Sequence, residues 1–405
     1  MSKHEDISRR EFFQKSVLKA GSVALASGVV GAAIQSVQAE TTTPATPPPV
    51  VAPPQPLAEM PQVQHRRLGR TKLKISEIAA PGDSLRDPVM FSIAVKAGLN
   101  YFHKADGTFS NPHNREVLLK DRERFYLDVV IDNLDEQRAY DEFENKRKAT
   151  GSEYVDFFKV HSTWPTVEAF QQQRGVLAAY DRLKKEKKVR WLALSKHNPN
   201  TNEVLTAALE SDLFDAIQPA VSHIGEFQKL LALAKQKDVG VICMKTGAGS
   251  IGKKPEFAKF GEPDKPFRTY YRYLLSLDGV TSVVSNFKNF DQMHENLSAS
   301  GAPMQKAEVE AITLALLNAP RNYRDCITCG ECRGACPGEL AVDDIMRFRM
   351  YAEDYGDYHI ARQHYAQLPA EWKAIVASGK GIPENACPYG LSVVAELKQA
   401  HRWLA

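Results

Sequence analysis

Residues 154–161 read YVDFFKVH and residues 189–195 read VRWLALS, with a helix-like segment at 168–188 between them. Both short segments are rich in β-branched and aromatic residues, which favour strands. The longer segment has the apolar spacing of an amphipathic helix. A strand, a helix and a second strand in this order predict a βαβ unit with parallel strands.

The same alternation extends over most of the chain. The strand-like runs end near eight positions: Ala79, Asp106, Asn133, His161, Ser195, Ala220, Thr246 and Phe287. Eight such units in about 250 residues are typical of a (β/α)8 barrel. No G-x-G-x-x-G follows the first strand, which counts against a dinucleotide-binding doubly wound sheet. We therefore predict an α/β protein with a (β/α)8 TIM barrel at residues 63–303.

The C-terminal part contains CITCGECRGACP at residues 326–337, with four of the six cysteines at C-x2-C-x2-C-x3-C-P spacing. This spacing is typical of a loop that binds a [4Fe–4S] cluster. Disulfide-bonded cysteines would be scattered along the chain, and the cysteine pairs of zinc sites usually stand farther apart. We predict a small α-helical, ferredoxin-like iron–sulfur domain at 304–405.

The fourth ligand of this cluster can be chosen in two ways. In this loop type the fourth cysteine of the run ligates a second cluster when one is present. The only further copy of the motif is ACPYG at 386–390, which has no ligand at the matching upstream positions. We therefore expect one [4Fe–4S] cluster, with Cys336 as the alternative fourth ligand. The expected metal ligands are Cys326, Cys329, Cys332 and Cys387.

The first residues have the features of an export signal. SRREFFQK at 8–15 is typical of a twin-arginine signal, and VQA at 37–39 suits a cleavage site after small residues. This route carries folded proteins, which suits a cluster inserted in the cytoplasm. We predict a signal peptide at 1–39, a Pro-rich linker at 40–62, and a periplasmic or extracytoplasmic protein. Membrane contact is expected only through an uncleaved signal.

The charge balance gives little support for a polyanionic partner. Residues 1–39 carry five Lys and Arg and three Asp and Glu. The rest of the chain therefore has 47 Lys and Arg and 46 Asp and Glu, a net charge of +1. Nothing in this balance favours binding of nucleic acid or of an anionic membrane surface. The sixth cysteine, Cys243, lies in an apolar run and is predicted to be a buried thiol.

Several segments, in the order in which they occur, resemble the aldo/keto reductase family. They are HRRLGRTKLKIS at 65–76, AGLNYF at 97–102, YVDFFKVH at 154–161, KVRWLALS at 188–195, FDAIQ at 214–218 and VGVICMK at 239–245. The likeness covers about residues 64 to 300, and a branch of this family carries a C-terminal ferredoxin-like extension. The resemblance implies hydride transfer from NAD(P)H, with a Tyr acid assisted by Asp, Lys and His.

The chain departs from this family at the acid–base positions. His103 stands in the place of the Asp, and the place of the Tyr holds Thr108 or Phe109. A Thr hydroxyl is too weak an acid to replace such a Tyr. The third strand supplies no lysine, and only His161 is retained, so the usual tetrad is largely lost. Polar residues at the strand ends can still form a site, with His161, His103 and Asp106 as catalytic candidates.

The cofactor positions are altered as well. Lys196 replaces an expected Asn, Val221 replaces an aromatic residue, and SNF at 285–287 replaces a glycine-containing phosphate loop. These changes together argue against NAD(P)H binding. Ser195 and Gln218, however, match the positions where the family binds the nicotinamide carboxamide. The candidate cofactor-binding residues are Ser195, Gln218 and Lys245.

Three hypotheses for function follow. The first is an exported iron–sulfur oxidoreductase, whose cluster transfers single electrons between an unidentified redox partner protein and a small molecule in the barrel. The second is an NAD(P)H-dependent aldo/keto (carbonyl) reductase with rearranged acid–base residues. The third is a non-catalytic barrel that binds a partner and carries a structural cluster.

Overall fold

The structure is a computed structural model of the 405-residue chain. It describes residues 59–82, 84–161, 164, 166–196, 201–221, 224–244, 259–260, 265–318, 321–326, 330–354 and 356–405. The chain divides into two units, Met1–Leu57 and Ala58–Ala405, and all described residues belong to the second. The predicted signal peptide and most of the predicted linker lie outside the described residues.

Two short strands precede the barrel, β1 (His65–Arg67) and β2 (Lys74–Ser76), and they pair as an antiparallel hairpin. Eight parallel strands then close into a barrel: β3 (Ile78–Pro81), β4 (Tyr101–His103), β5 (Tyr126–Ile131), β6 (Val155–His161), β7 (Val189–Lys196), β8 (Ala216–Pro219), β9 (Gly240–Cys243) and β10 (Val280–Val284). Strand β10 pairs with both β3 and β9, which closes the ring. The predicted (β/α)8 barrel is confirmed.

Helices cover the outer face of the barrel. In the described residues they are α1 (Pro88–Lys96), α2 (Ala105–Thr108), α3 (Pro112–Lys120), α4 (Glu136–Thr150), α5 (Val167–Gln172), α6 (Gly175–Lys185), α7 (Thr201–Glu210), α8 (Ile224–Gln236), α9 (Pro266–Ser276), α10 (Phe290–Leu297) and α11 (Lys306–Asn318). Sequence signals fix several of their ends. The Asp87 side chain accepts hydrogen bonds from the first turn of α1, and Pro88 occupies the first helical position.

The N-terminal end of the barrel is closed by apolar side chains. Leu68 and Ile75 from the hairpin are fully buried against inward-facing residues of the strands, including Tyr101 and Phe157. A β-carbon on Gly69, whose φ is +44°, would lie 2.3 Å from the backbone nitrogen of Gly240, so this close approach of hairpin and strand requires glycine. An apolar layer therefore fills this end of the barrel.

The C-terminal region has a core of its own. Helix α11 still packs on the barrel, where Ile312 and Leu316 join the barrel's outer core. The following helices, α12 (Val342–Glu353), α13 (Tyr358–Ala366), α14 (Ala370–Ser378) and α15 (Val393–Leu404), enclose a second core that includes Cys332 and Cys336. No helix in the described part of the chain is long and apolar enough to cross a membrane.

Candidate functional site

A buried polar cluster occupies the barrel above its apolar layer, and Asp128 on β5 is its centre. Asp128 Oδ2 accepts hydrogen bonds from the Tyr101 hydroxyl and from Lys159 Nζ, both at 2.6 Å. Its Oδ1 lies 3.0 Å from His103 Nδ1 and accepts a bond from the Lys104 backbone N–H at 3.1 Å. Tyr101, Asp128 and Lys159 have no exposed surface, whereas His103 is 8% exposed. Gln218 completes this group, which we call the Asp128 cluster.

Strand alternation brings these residues together. Side chains two positions apart on a strand point to the same face, so Tyr101 and His103 both face the barrel interior from β4. The Lys104 backbone has a φ of 52°, a left-handed conformation that is unusual for a lysine. This conformation directs the Lys104 N–H to Asp128, and strained backbone of this kind is concentrated at functional sites.

The charges of the cluster follow from its burial and its contacts. Burial raises the pKa of Asp128, but the charges of His103 and Lys159 outweigh burial and hold this pKa well below its usual range. Burial lowers the pKa of Lys159, and Asp128 opposes this shift. Burial and the Asp128 carboxylate raise the pKa of Tyr101 well above its usual value. The cluster therefore contains an aspartate–lysine ion pair beside a neutral tyrosine.

His103 is the member of the cluster that can exchange a proton. Burial lowers the pKa of its ring, Asp128 opposes this shift, and the charges of Lys159 and Lys104 add to it. Since an unperturbed histidine titrates near 6.5, the His103 ring is neutral at pH 7. Its Nδ1 is held by Asp128, which leaves Nε2, 3.5 Å from the Gln218 amide nitrogen, as the ring nitrogen for acid–base chemistry.

The four residue types that the resemblance implies therefore meet in this barrel, but from other positions. The lysine, Lys159, comes from β6 instead of the preceding strand, and the tyrosine, Tyr101, lies on β4 itself. A fully buried Tyr101 with a raised pKa cannot serve as the acid. Thr108 and Phe109, which stand in the place of the family's Tyr, are also fully buried.

The other two predicted catalytic residues lie nearer to the solvent. His161 Nδ1 is 2.7 Å from Asp132 Oδ1, and these side chains are 27% and 57% exposed. The hydrogen bond from His161 lowers the pKa of Asp132. Asp106 on α2 is half-buried; burial raises its pKa, and the charge of Lys146 opposes that shift. The structure thus places His103 inside the barrel and gives His161 a separate carboxylate partner.

Two of the predicted cofactor contacts are neighbours in the barrel. Ser195 on β7 and Gln218 on β8 are paired in register, and both are buried. The Gln218 carbonyl oxygen accepts a hydrogen bond from Lys159, and its amide nitrogen is 3.5 Å from His103 Nε2. The third predicted contact, Lys245, lies outside the described residues.

The positions that differ from the family are used in local contacts. Lys196 Nζ donates to the Trp164 carbonyl oxygen at 2.8 Å, and burial lowers the pKa of Lys196 to about 8. Beyond β10, the Asn286 side chain is hydrogen-bonded to Ser84, and Ser285 Oγ accepts a bond from Asn296 at 2.7 Å. Ser285 and Asn286, which stand where the resemblance implies a phosphate-binding loop, thus form hydrogen bonds within the protein.

A second candidate site lies in the C-terminal core. Cys326 and Cys332 from the cysteine-rich loop and Cys387 from the distant ACPYG segment line one cavity, together with Asp325 and Asp343. Cys336 is buried in the same core but does not line this cavity, and burial raises its pKa. Cys329 lies outside the described residues.

The side chains around the cavity can be compared with the ligands that a metal centre requires. Among the described residues, which lack Cys329, no three His, Cys, Asp or Glu side chains are grouped closely enough to bind one ion. In a [4Fe–4S] cluster each thiolate binds a different iron, so the sulfur atoms surround the group from several sides. Three thiols from two chain segments around one cavity fit this arrangement.

Three of the residues that build the Asp128 cluster were missed by the sequence analysis. Asp128 interrupts the apolar run YLDVVI, and Lys159 interrupts VDFFKVH. A charged residue at an inward position of a buried strand is rare unless it is paired, and this signal could have identified both residues. Tyr101 carries no comparable signal, because aromatic residues are common in strands.

Comparisons with known proteins bear on the barrel. No protein-family model matches the chain, and no curated protein sequence matches it. Among solved structures, the chain is similar to the holo form of an aldo-keto reductase from Bacillus halodurans, with 17% sequence identity and a TM-score of 0.51. The match covers 64% of this chain and 98% of that one. An aldo/keto reductase from Brucella melitensis gives 16% identity and a TM-score of 0.50, covering 62% and 99%.

A third similar structure is an aldo-keto reductase complexed with NADPH, at 11% identity and a TM-score of 0.50, covering 65% of this chain and 91% of that one. Likenesses at these identities concern the fold. The chain has a barrel of the aldo/keto reductase type, as the sequence resemblance implied, and its remaining third lies outside the matched region.

Proposed function

We propose that the chain is an oxidoreductase that interconverts an alcohol and a carbonyl group in its barrel, with NAD(P)H as the hydride partner. The observation that carries this proposal is the His103–Asp128 pair inside the barrel, in which a carboxylate holds one ring nitrogen and leaves Nε2 available. A histidine oriented by a buried carboxylate is a common acid–base arrangement in enzymes. The barrel fold of the aldo/keto reductase type supports the reaction class only by analogy.

The residues of the cluster can handle the proton of this reaction. A bound nicotinamide supplies or accepts the hydride at the substrate carbon. In the oxidation of an alcohol, His103 Nε2 takes the hydroxyl proton while the C–H bond breaks and the C=O bond forms. Asp128 stabilises the resulting imidazolium. In the reduction of a carbonyl, the protonated ring returns the proton to the substrate oxygen. Because burial favours the neutral ring, the site favours oxidation at neutral pH.

Nicotinamide binding is supported at one end of the cofactor and opposed at the other. Ser195 and Gln218 lie side by side where the resemblance places the carboxamide contacts. The Gln218 amide N–H groups can donate to such a group, because its carbonyl oxygen is held by Lys159. At the phosphate end, the local bonds of Ser285 and Asn286 favour weak binding.

Label transfer tests the proposed reaction. The protein would be incubated with NADPH that carries deuterium at the transferred position and with a panel of aldehydes and ketones. The proposal expects deuterium on the alcohol carbon of at least one product, in amounts that depend on the protein. If no carbonyl of the panel acquires deuterium under conditions in which NADPH binds, the reductase proposal is wrong.

The cysteine cavity favours a second candidate function, electron transfer by an exported iron–sulfur protein. The cluster would be held by Cys326, Cys332, Cys387 and, from the undescribed part of the loop, Cys329. Such a cluster supplies or accepts one electron at a time, at a potential that depends on burial and on hydrogen bonds to sulfur. The arrangement of three cysteines around one cavity supports a single cluster with the remote ligand.

In this second candidate, the partner is an unidentified redox protein, and the twin-arginine signal would direct the folded protein to the periplasm. Iron and sulfide analysis of protein purified without oxygen, with EPR during stepwise reduction, tests it. About four irons per chain and a reversible signal are expected. Eight irons would contradict the single cluster, and four irons that cannot be reduced would favour the non-catalytic alternative with a structural cluster.

Localisation is tested by fractionating cells that express the full chain.

A further inference from the structure

We propose that Lys159 is a positioning residue that fixes both the tautomer of His103 and the orientation of the Gln218 amide. This inference deepens the proposed function, since it concerns the residue to which that function assigns the proton transfer. Lys159 has no exposed surface, so it acts through its neighbours and not through contact with a substrate.

The shortest contacts of Lys159 are to three oxygen acceptors, which matches the number of its donors. An ammonium group has three N–H donors and no acceptor. Lys159 Nζ has three acceptors within reach: Asp128 Oδ2 at 2.6 Å, the Tyr101 hydroxyl oxygen at 2.8 Å, and the Gln218 carbonyl oxygen. All three donors are therefore used. His103 Nδ1 lies 3.4 Å from Nζ, but this approach is not a hydrogen bond if Nδ1 carries a proton.

The hydrogen bond from Lys159 to Gln218 determines which group of the Gln218 amide faces His103 Nε2. Because the carbonyl oxygen of Gln218 faces Lys159, its NH₂ group faces His103 Nε2, at 3.5 Å. An NH₂ group can only donate. A nitrogen that faces it must therefore present a lone pair, and Nε2 is unprotonated in the neutral ring.

The contact between His103 Nδ1 and Asp128, on the other ring nitrogen, indicates the same tautomer. An ionised carboxylate can only accept, so His103 Nδ1 must carry the proton that it shares with Asp128. The Tyr101 hydroxyl and the Lys104 backbone N–H also donate to this carboxylate, which restricts its rotation. The Gln218 amide that Lys159 orients and the Asp128 carboxylate with which Lys159 pairs thus specify the same state of the ring, with hydrogen on Nδ1 and a lone pair on Nε2.

The charge of Lys159 also acts on His103. The charged groups around the ring are Asp128, Lys159 and Lys104, and both lysines oppose its protonation. Without the ammonium group, Asp128 would be left with less compensation, and the Gln218 amide could turn over. We therefore expect loss of Lys159 to mix the two tautomers and to make the ring easier to protonate.

Nitrogen NMR of the full chain labelled with ¹⁵N-histidine tests this inference without relying on activity. Wild-type His103, assigned by its loss in His103→Gln, is expected to show a protonated Nδ1 at neutral pH. In Lys159→Met the midpoint of its titration should rise by about one pH unit, and the two nitrogen shifts should move towards each other. The matched control is Lys196→Met, since Lys196 is also buried and hydrogen-bonded but donates to Trp164; it should leave His103 unchanged.

If Lys159→Met does not fold, Gln218→Glu provides the second test. This change keeps an acceptor for Lys159 but replaces the donor that faces Nε2 by a carboxylate, so the titration midpoint of His103 should again rise. Wild-type shifts and midpoint in a folded Lys159→Met or Gln218→Glu variant would overturn the positioning role. A failure of label transfer with wild-type protein would instead count against the proposed reaction and leave the NMR result intact.

Discussion

Lys159 Nζ lies 2.6 Å from Asp128 Oδ2 in the interior of the barrel, and neither side chain has any exposed surface. The interior of such a barrel is usually filled by layers of apolar side chains. Two charges in this place have lost their hydration, and their attraction offsets that loss only if the remaining hydrogen bonds are also made. The bonds to Tyr101, His103, Lys104 and Gln218 meet this requirement.

Removal of one partner of this ion pair should therefore destabilise the fold strongly. Asp128→Ala leaves the Lys159 ammonium buried without its counter-charge, and we expect a loss of about 3–5 kcal/mol in the free energy of unfolding. Urea denaturation measures this loss. The control is Asp278→Ala, which breaks the exposed pair with Lys235 and should change stability little. Equal effects of the two substitutions would contradict the structural role of the buried pair.

Substitution of His103 should lower turnover strongly while leaving Ser195 and Gln218 in place. His103→Gln removes the proton acceptor, and we expect kcat to fall by roughly 10²–10⁴-fold. Steady-state rates in both directions of the reaction measure this effect. The matched variant is His161→Gln, which alters the exposed histidine–aspartate pair and is expected to have the smaller effect. If His161→Gln has the larger effect, the acid–base role belongs to His161 and Asp132.

The pH dependence should have opposite signs in the two directions. Burial lowers the pKa of His103 below its ordinary value of 6.5, so the neutral ring required for alcohol oxidation predominates at pH 7 and above. The oxidation rate should level off at pH 7 and above and should fall as the pH decreases through the lowered pKa of His103. The rate of carbonyl reduction, which requires the protonated ring, should increase as the pH decreases through the same pKa. An oxidation rate that continues to rise well above pH 7 would exclude His103 as the base.

The cysteines of the C-terminal core should differ in their importance for the proposed [4Fe–4S] cluster. Cys387→Ser removes a side chain that lines the cavity, whereas Cys336→Ser changes a buried thiol outside it. We expect the first variant to lose the cluster's EPR signal and part of its iron, and the second to retain both. The reverse pattern would identify Cys336 as the fourth ligand.

The sequence contained enough information to predict the barrel and the ends of several strands. The fourth barrel strand ends at His161, as predicted, and its apolar run is long enough to be recognised in the sequence. The second strand was predicted to extend to Asp106 but ends at His103. The residues beyond it form helix α2, whose start requires the left-handed Lys104, and such a conformation has no signal in a single sequence.

The Asp128 cluster could not be predicted in full for a geometric reason. Alternation along β5 and β6 indicates that Asp128 and Lys159 face inward, but not that they meet. Contact between side chains of neighbouring strands depends on the register in which the strands pair, and in a barrel this register follows from the stagger, which a single sequence does not specify. The search for a lysine on the third strand alone therefore missed Lys159 on the fourth.

The central claim, that the barrel is the site of a nicotinamide-linked oxidoreductase, is tested most directly by titrating the purified chain with NADPH and following protein fluorescence. We expect saturable quenching with one NADPH per chain, at concentrations up to roughly 1 mM. Binding should be retained in His103→Gln, because that residue acts on the proton and not on the cofactor. Absence of saturable binding over this range would contradict the claim and leave electron transfer by the iron–sulfur cluster as the better account of the protein.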